Sequence, residues 1–173
     1  MGENGMNDGG EQGRNILEVL DGLGIAYTHH EHEAAFTVED ADRIYGHLEG
    51  GHLKNLFLRN KKGDRHYLVV VESHKQVDLK ALRGALGEST LSFASPERLL
   101  RHMGLTPGSV SPMGLINDTT GAVTAYFDQD LLGFELLNFH PNRNTATITV
   151  RTDDLKRFVE HTGRAFQTLE IPT

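Results

Sequence analysis

Two strand-like runs separated by a short charged turn limit what this chain can fold into more than any other feature. HLKNLFLRN (His52–Asn60) and HYLVVVES (His66–Ser73) flank KKGDR. Apolar and β-branched runs around a short Gly-containing turn read as a hairpin, so the chain is expected to build an antiparallel pair at its centre. Helix-like runs are interleaved with it. Ile16, Leu17, Leu20 and Leu23 follow Arg14 at helical spacing, and Gly22 and Gly24 close the run. Thr37 starts TVEDADRI with Asp40 three residues later, a pattern close to a capping box. Asp78 opens DLKALRGAL; Ser95, Pro96 and Gly104 mark the cap, first turn and stop of SPERLLRHMG; Thr152 is read as the cap of TDDLKRFVEHTG. IAYTHHEH, STLSF, LLGFELLNF, TATITV and AFQTLEI read as further strands, and LIND with VTAYFD as a second hairpin around Asp118 to Gly121. Strands and helices interleaved with hairpins predict one mixed α/β (α+β) domain over residues 14–173, not a clean βαβ alternation. Residues 1–13, MGENGMNDGGEQG, hold almost nothing apolar and are expected to form a disordered tail.

The charge balance narrows the function classes. At 173 residues and a net charge of -7, the chain is not expected to coat nucleic acid with its whole surface, although a few cations could still grip a nucleic-acid end. With no cysteine, disulfides and thiolate metal sites are excluded, which fits a reducing cytoplasmic setting. No apolar run approaches the roughly 18 residues of a membrane span, and no secretory signal pattern is read at the start.

Familiar catalytic motifs are missing. There is no HExxH, no GxSxG elbow and no GxxxxGK[ST] phosphate loop. Ten histidines are many, but His29, His30 and His32 of HHEH lack a third ligand at a recognisable spacing and read as exposed strand residues. His47, His66, His74, His102 and His161 stand alone and read as surface residues.

Three features remain. Lys54 shares a strand face with Leu56 and Leu58; such a cation either snorkels to an edge or pairs with an anion such as phosphate, and the alternative is an edge lysine that blocks aggregation. The stretch GLTPGSVSPMG (Gly104–Gly114) carries three glycines and two prolines and no charge. Glycine lets backbone groups approach a ligand and proline fixes their direction, so the loop could supply amides or carbonyls, or be inert surface. His140, in NFHPN, stands at a strand end before a proline; it could face a cleft or simply form a turn.

YTHHEHEAAFTVEDA, GGHLKNLFLRNKKGDRHYLVVV, GLTPGSVSPMGLIND and LLNFHPNRNTATI, in this order, resemble the YbaK/prolyl-tRNA synthetase-associated editing domains, and within them the free-standing prolyl-tRNA deacylases. The resemblance runs from about Ile16 to Leu169. It implies a strongly bent, mixed and largely antiparallel sheet flanked by helices, and an ester hydrolase that clears mischarged tRNA(Pro), foremost Ala-tRNA(Pro). The alternatives are a Cys- or Ser-tRNA(Pro) deacylase, or a non-catalytic module binding tRNA or a synthetase. Lys54, Gly108 and His140 match the family's functional positions: the lysine engages phosphate at the terminal adenosine, the loop presents backbone, and the histidine lies near the aminoacyl group. Asn55 fits the pattern, as do Ser109, Val110, Ser111 and Pro112 of the loop. The tRNA 2′-hydroxyl would help activate water, with no metal and no cofactor. Strand parity adds Phe36, Thr37, Leu56 and Leu58 as pocket walls. Arg59, Lys61, Lys62 and Arg143 are candidate phosphate contacts. The implied partners are the tRNA(Pro) acceptor end and, transiently, prolyl-tRNA synthetase, but neither DNA nor a membrane.

Overall fold

The computed structural model describes residues 15–173; the tail expected over residues 1–13 lies outside the described residues. Strand β3 (His66–Glu72) is the fold's centre because its apolar run is buried on both faces: Leu68, Val69, Val70 and Val71 are all at 0% exposure. Each such side chain contributes about 1.5–3 kcal/mol relative to leaving it in water. Its hairpin partner β2 (Gly51–Asn60) pairs with it antiparallel, with Lys54 opposite Val71 and Leu58 opposite Tyr67. Alternation along this pair divides the core. Phe57, Leu68 and Val70 point into the larger cluster, and Leu56, Leu58, Tyr67, Val69 and Val71 into the smaller one.

Among the described residues the sheet has eight strands. Beyond the hairpin these are β1 (Tyr27–Glu31), β4 (Leu91–Phe93), β5 (Val123–Asp128), β6 (Leu136–Phe139), β7 (Ala146–Arg151) and β8 (Thr168–Leu169). The order is β1-β7-β6-β2-β3-β5-β8, with β4 paired separately to β2. The sheet is mixed: β1/β7, β6/β7, β2/β3 and β2/β4 are antiparallel, while β2/β6, β3/β5 and β5/β8 are parallel. One edge of β2 is shared. β6 takes its first two residues, Gly51 and His52, and β4 its last three, Leu58 to Asn60. Between them, around Leu53 to Asn55, the sheet splits.

Among the described residues five α-helices pack around this sheet: α1 (Ile16–Gly22), α2 (Val38–Tyr45), α3 (Leu79–Ala85), α4 (Pro96–Met103) and α5 (Thr152–His161). Their starts are locally encoded. Thr37 accepts from the Asp40 amide at 3.0 Å, Asp78 from Lys80 and Ala81, and Ser95 from Arg98. Gly104 ends α4 in the left-handed conformation.

Several expectations are corrected. LIND is not a strand: Pro112–Asn117 forms a 3-10 helix whose Pro112 to Ile116 are buried. The expected second hairpin is therefore absent, and β5 pairs in parallel with β3 instead. Asp118 makes the bend, accepting from the amides of Ala122 and Val123 and pairing with Arg164 at 2.6 Å. LLGFELLNF splits into a 3-10 turn at Gln129–Gly133 and β6. Thr152 is not the cap of α5 but its first residue, and its hydroxyl donates to the Phe134 carbonyl at 2.5 Å. Among the described residues no helix is long and apolar enough to cross a membrane.

Candidate functional site

A cleft of about 290 Å³ opens where the sheet splits. Leu53, Lys54 and Asn55 of β2 form its floor, Ala35 to Val38 with Ala41 and Tyr45 of α2 one wall, Gly108 and Val110 another, and Ser73 and His140 complete it. A larger hollow of about 420 Å³, lined by Tyr27, His30, Leu48, Thr149 and Arg151 among others, lies elsewhere on the sheet. Size does not decide between them; the cleft gathers chemistry from five separate stretches of chain.

Lys54 is half-buried. Its ammonium donates to the Lys75 carbonyl at 2.5 Å, and among the described residues no carboxylate stands within 4.0 Å of it. A neutral acceptor orients the ammonium without cancelling its charge, and an ammonium has further donors to offer. That is the arrangement an anion needs.

The loop wall is a built turn. Ser109 N–H donates to Thr106 O at 3.0 Å, Pro107 occupies the first central position, and Gly108 has φ +92°. This is a type II turn, whose second central residue must adopt positive φ. It leaves the Gly108 amide without an acceptor among the described residues. Asn55 braces the wall, its Nδ2 donating to the Val110 carbonyl at 3.2 Å while its buried Oδ1 has no partner among the described residues. The rest of the predicted loop set stands behind the wall. Ser109 is buried, Ser111 is fully buried with its hydroxyl accepting from the Met113 amide at 3.1 Å, and Pro112 starts the 3-10 helix.

His140 sits past the end of β6. Its Nδ1 lies 2.9 Å from the Ala146 carbonyl. A carbonyl can only accept, so Nδ1 carries the proton and Nε2 keeps its lone pair. Burial holds its pKa below the ordinary histidine value, the Ala146 carbonyl opposes this, and His32 adds to the depression. Tyr45 meets the ring edge-on at 5.8 Å.

Sequence reasoning missed His32 and Tyr45. His32 is not an exposed strand residue. It is half-buried, stacked on Tyr45 at 4.6 Å, donating from Nδ1 to Glu33 O at 2.7 Å and accepting at Nε2 from the Thr147 hydroxyl at 2.8 Å. Its ring lies 6.3 Å from His140. Thr147 is 115 residues away, so no local pattern could signal the contact. His66, read as surface, is 4% exposed between Phe57 and His102, and Arg98 donates to it at 3.1 Å.

The other predicted residues divide. Phe36 and Thr37 line the cleft, and Phe36 is 78% exposed at its mouth. Leu56 and Leu58 do not line it. They share the Lys54 face by alternation, but that face is sealed into the smaller core cluster two residues further on. Arg59 is spent on the carbonyls of Asn60 and Lys61. Lys61 and Lys62 are exposed at the far turn, roughly 20 Å along the strand from Lys54. Arg143 is paired with Glu31 at 2.6 Å and with Thr145 at 2.8 Å. Among the described residues no group of three or more His, Asp or Glu could hold a metal ion.

Residues 32–158 match the model of the aminoacyl-tRNA editing domain. The prolyl-tRNA editing protein ProX of Acetoanaerobium sticklandii is 40% identical over 156 residues, covering 90% of this chain and 95% of that protein. A prolyl-tRNA synthetase associated domain-containing protein of Danio rerio is 37% identical over 151 residues, covering 86% and 82%. A solved structure provisionally assigned as a trans-editing enzyme for prolyl tRNA synthetase shares the fold, with TM-score 0.72 at 22% identity, covering 98% of this chain and 99% of its own. The chain belongs to the aminoacyl-tRNA editing domain family.

Proposed function

We propose that the protein is an ester hydrolase that removes a wrong amino acid, foremost alanine, from the 3′ end of tRNA(Pro). The observation that carries this reading is Lys54: a half-buried ammonium, uncancelled by any carboxylate among the described residues, on the floor of the cleft that His140 and the Gly108 turn also line. Lys54 would hold the phosphate at the terminal adenosine. The acyl ester would then lie between the loop backbone and His140. Water adds to the ester carbonyl carbon, the carbonyl oxygen becomes an oxyanion, and collapse breaks the bond to the ribose 3′ oxygen, which leaves with a proton. The unpaired Gly108 amide is the donor closest in kind to what an oxyanion requires. The tRNA 2′-hydroxyl helps to activate the water, and the neutral Nε2 of His140 offers a proton acceptor or a hydrogen-bond partner beside it. An aminoacyl ester is already activated, so positioning and oxyanion stabilisation supply much of the acceleration.

Substrate choice is assigned to fit. Leu53, Ala41 and Val110 line the cleft and would form the walls of the side-chain pocket in this reading; a clash excludes proline more sharply than contacts could favour alanine, since a methylene is worth about 1–3 kcal/mol. Lys61 and Lys62 are left for the acceptor stem. Association with prolyl-tRNA synthetase is transient in this reading.

The test is deacylation of Ala-, Cys-, Ser- and Pro-tRNA(Pro) with EDTA present. Rapid loss of alanine, with proline retained, is expected. Loss of cysteine in its place would refute the assigned pocket size. Tight binding of every tRNA without hydrolysis would refute catalysis and leave a binding module.

A further inference from the structure

Lys54 owes its orientation to a second lysine. The carbonyl that receives its ammonium belongs to Lys75, in the turn that follows β3. That turn is closed by Lys75 N–H donating to Glu72 O at 3.0 Å and fastened to β2 by Ser73 N–H donating to His52 O at 2.8 Å. Two side chains then anchor it. His74 bridges Glu72 and Asp42 at 3.1 and 2.9 Å, but it is 58% exposed. Lys75 points the other way, its ammonium 2.6 Å from Asp128, whose side chain is 1% exposed at the end of β5, and 3.1 Å from Asp130. Exposed pairs contribute little to holding a geometry, whereas breaking a buried pair strands a charge. The Asp128 anchor is therefore the one that fixes where the Lys75 carbonyl stands.

We infer that Lys75 and Asp128 are positioning residues for the anion site: the buried carboxylate holds the Lys75 side chain, the Lys75 backbone carbonyl holds Lys54, and Lys54 is thereby aimed into the cleft. This rests on the reading of Lys54 as a phosphate contact. The device separates two jobs that one carboxylate cannot do together. A carboxylate placed directly on Lys54 would orient it and also neutralise it. Here the orienting carboxylate acts through a lysine of its own, so its charge is cancelled at Lys75 and the charge of Lys54 survives.

The experiment is a double-mutant cycle read by equilibrium binding of uncharged tRNA(Pro) across a salt series. Lys54→Met is expected to weaken binding about tenfold or more, as for loss of a charged hydrogen bond, and to reduce the slope of log K against log salt by about 0.7, one single-strand phosphate contact. Lys75→Met combined with Asp128→Asn removes both charges and strands neither; it is expected to reproduce part of both effects. Lys75→Arg, which keeps the pair, is expected to restore binding. In the Lys54→Met background the charge-free pair is expected to cost nothing more. Additive losses in that background would overturn the inference and leave the role of Lys54 standing. Unchanged binding and slope in Lys54→Met would overturn both. Asp128→Asn alone, which leaves the Lys75 ammonium paired with Asp130, is the second variant for the cycle should the charge-free pair fold poorly. The nitrogen-15 NMR signal of the Lys54 ammonium supplies a readout without RNA: it should be hydrogen-bonded in the native protein and released in the charge-free pair.

Discussion

Gly108→Ala and Gly84→Ala make the same chemical change and should move stability in opposite directions. At Gly108 an added Cβ meets Asn144 Nδ2 at 3.4 Å, an ordinary contact, so space is not the obstacle. The obstacle is φ +92°, which an L-residue adopts at a cost of roughly 1–2 kcal/mol. Gly84 lies in α3 with nothing within 4 Å of its Cβ position and an ordinary helical backbone. There alanine should stabilise by about 0.5–1 kcal/mol. For a domain of this size 1 kcal/mol shifts Tm by roughly 2–4 °C. Thermal melting should therefore place Gly108→Ala roughly 2–8 °C below the native protein and Gly84→Ala slightly above it. Deacylation should separate the two as well. A relaxed turn at 108 moves the Val110 wall and lowers kcat/KM, while residue 84 is remote from the cleft. If Gly108→Ala melts at or above the native temperature, the turn is not the rigid type II turn argued for, and the loop loses its claim to act through fixed backbone.

Burial holds His66 down to about 4, with His102 and Arg98 acting in the same direction. Between the ordinary 6.5 and 4 the unfolded chain binds a proton that the folded chain refuses, so stability falls with pH, by up to about 2 kcal/mol at pH 5. Urea unfolding at pH 7 and 5 checks this, and His66→Phe should flatten the difference. For His140 the acid limb of the deacylation profile should lie below the ordinary histidine value, and His140→Asn should abolish that limb; a limb that persists assigns it elsewhere. Phe36→Ala should leave Tm unchanged, because the ring is 78% exposed, yet weaken tRNA binding by roughly 1–3 kcal/mol if the ring stacks on an unpaired base. Unchanged affinity would remove Phe36 from the site.

What could be foreseen from sequence was local. Thr37, Asp78 and Ser95 cap helices through amides two or three residues on, so the signal and the partner are read together. Lys54 stood out because a cation on an apolar strand face demands an explanation within the strand itself. The failures share a different cause. LIND is a short apolar run, which is equally compatible with a strand and a buried turn, and the decision rests with Asp118 and Arg164, 46 residues apart. Parity correctly put Leu56 and Leu58 on the Lys54 face, but alternation does not say where along a face the core begins. His32 and Tyr45 meet His140 through contacts between distant segments, and Arg143 is lost to Glu31, 112 residues away. The site's composition was thus more legible than its walls.

The split in the sheet also dictates when the site can exist. Strand β2 is made early, but the start of its free edge is completed by β6, and Asn138 Nδ2 reaches back to the Gly51 carbonyl across 87 residues. Closing a chain segment of that length costs about 4 kcal/mol beyond a constant before any contact repays it. Lys54 can be held once the β2–β3 hairpin, its turn and Asp128 at the end of β5 are in place, which is before His140 arrives. During synthesis, therefore, the cation is in place while His140 is still missing, and on the proposed reading a chain stopped short of β6 would be able to grip an anion without being able to process one.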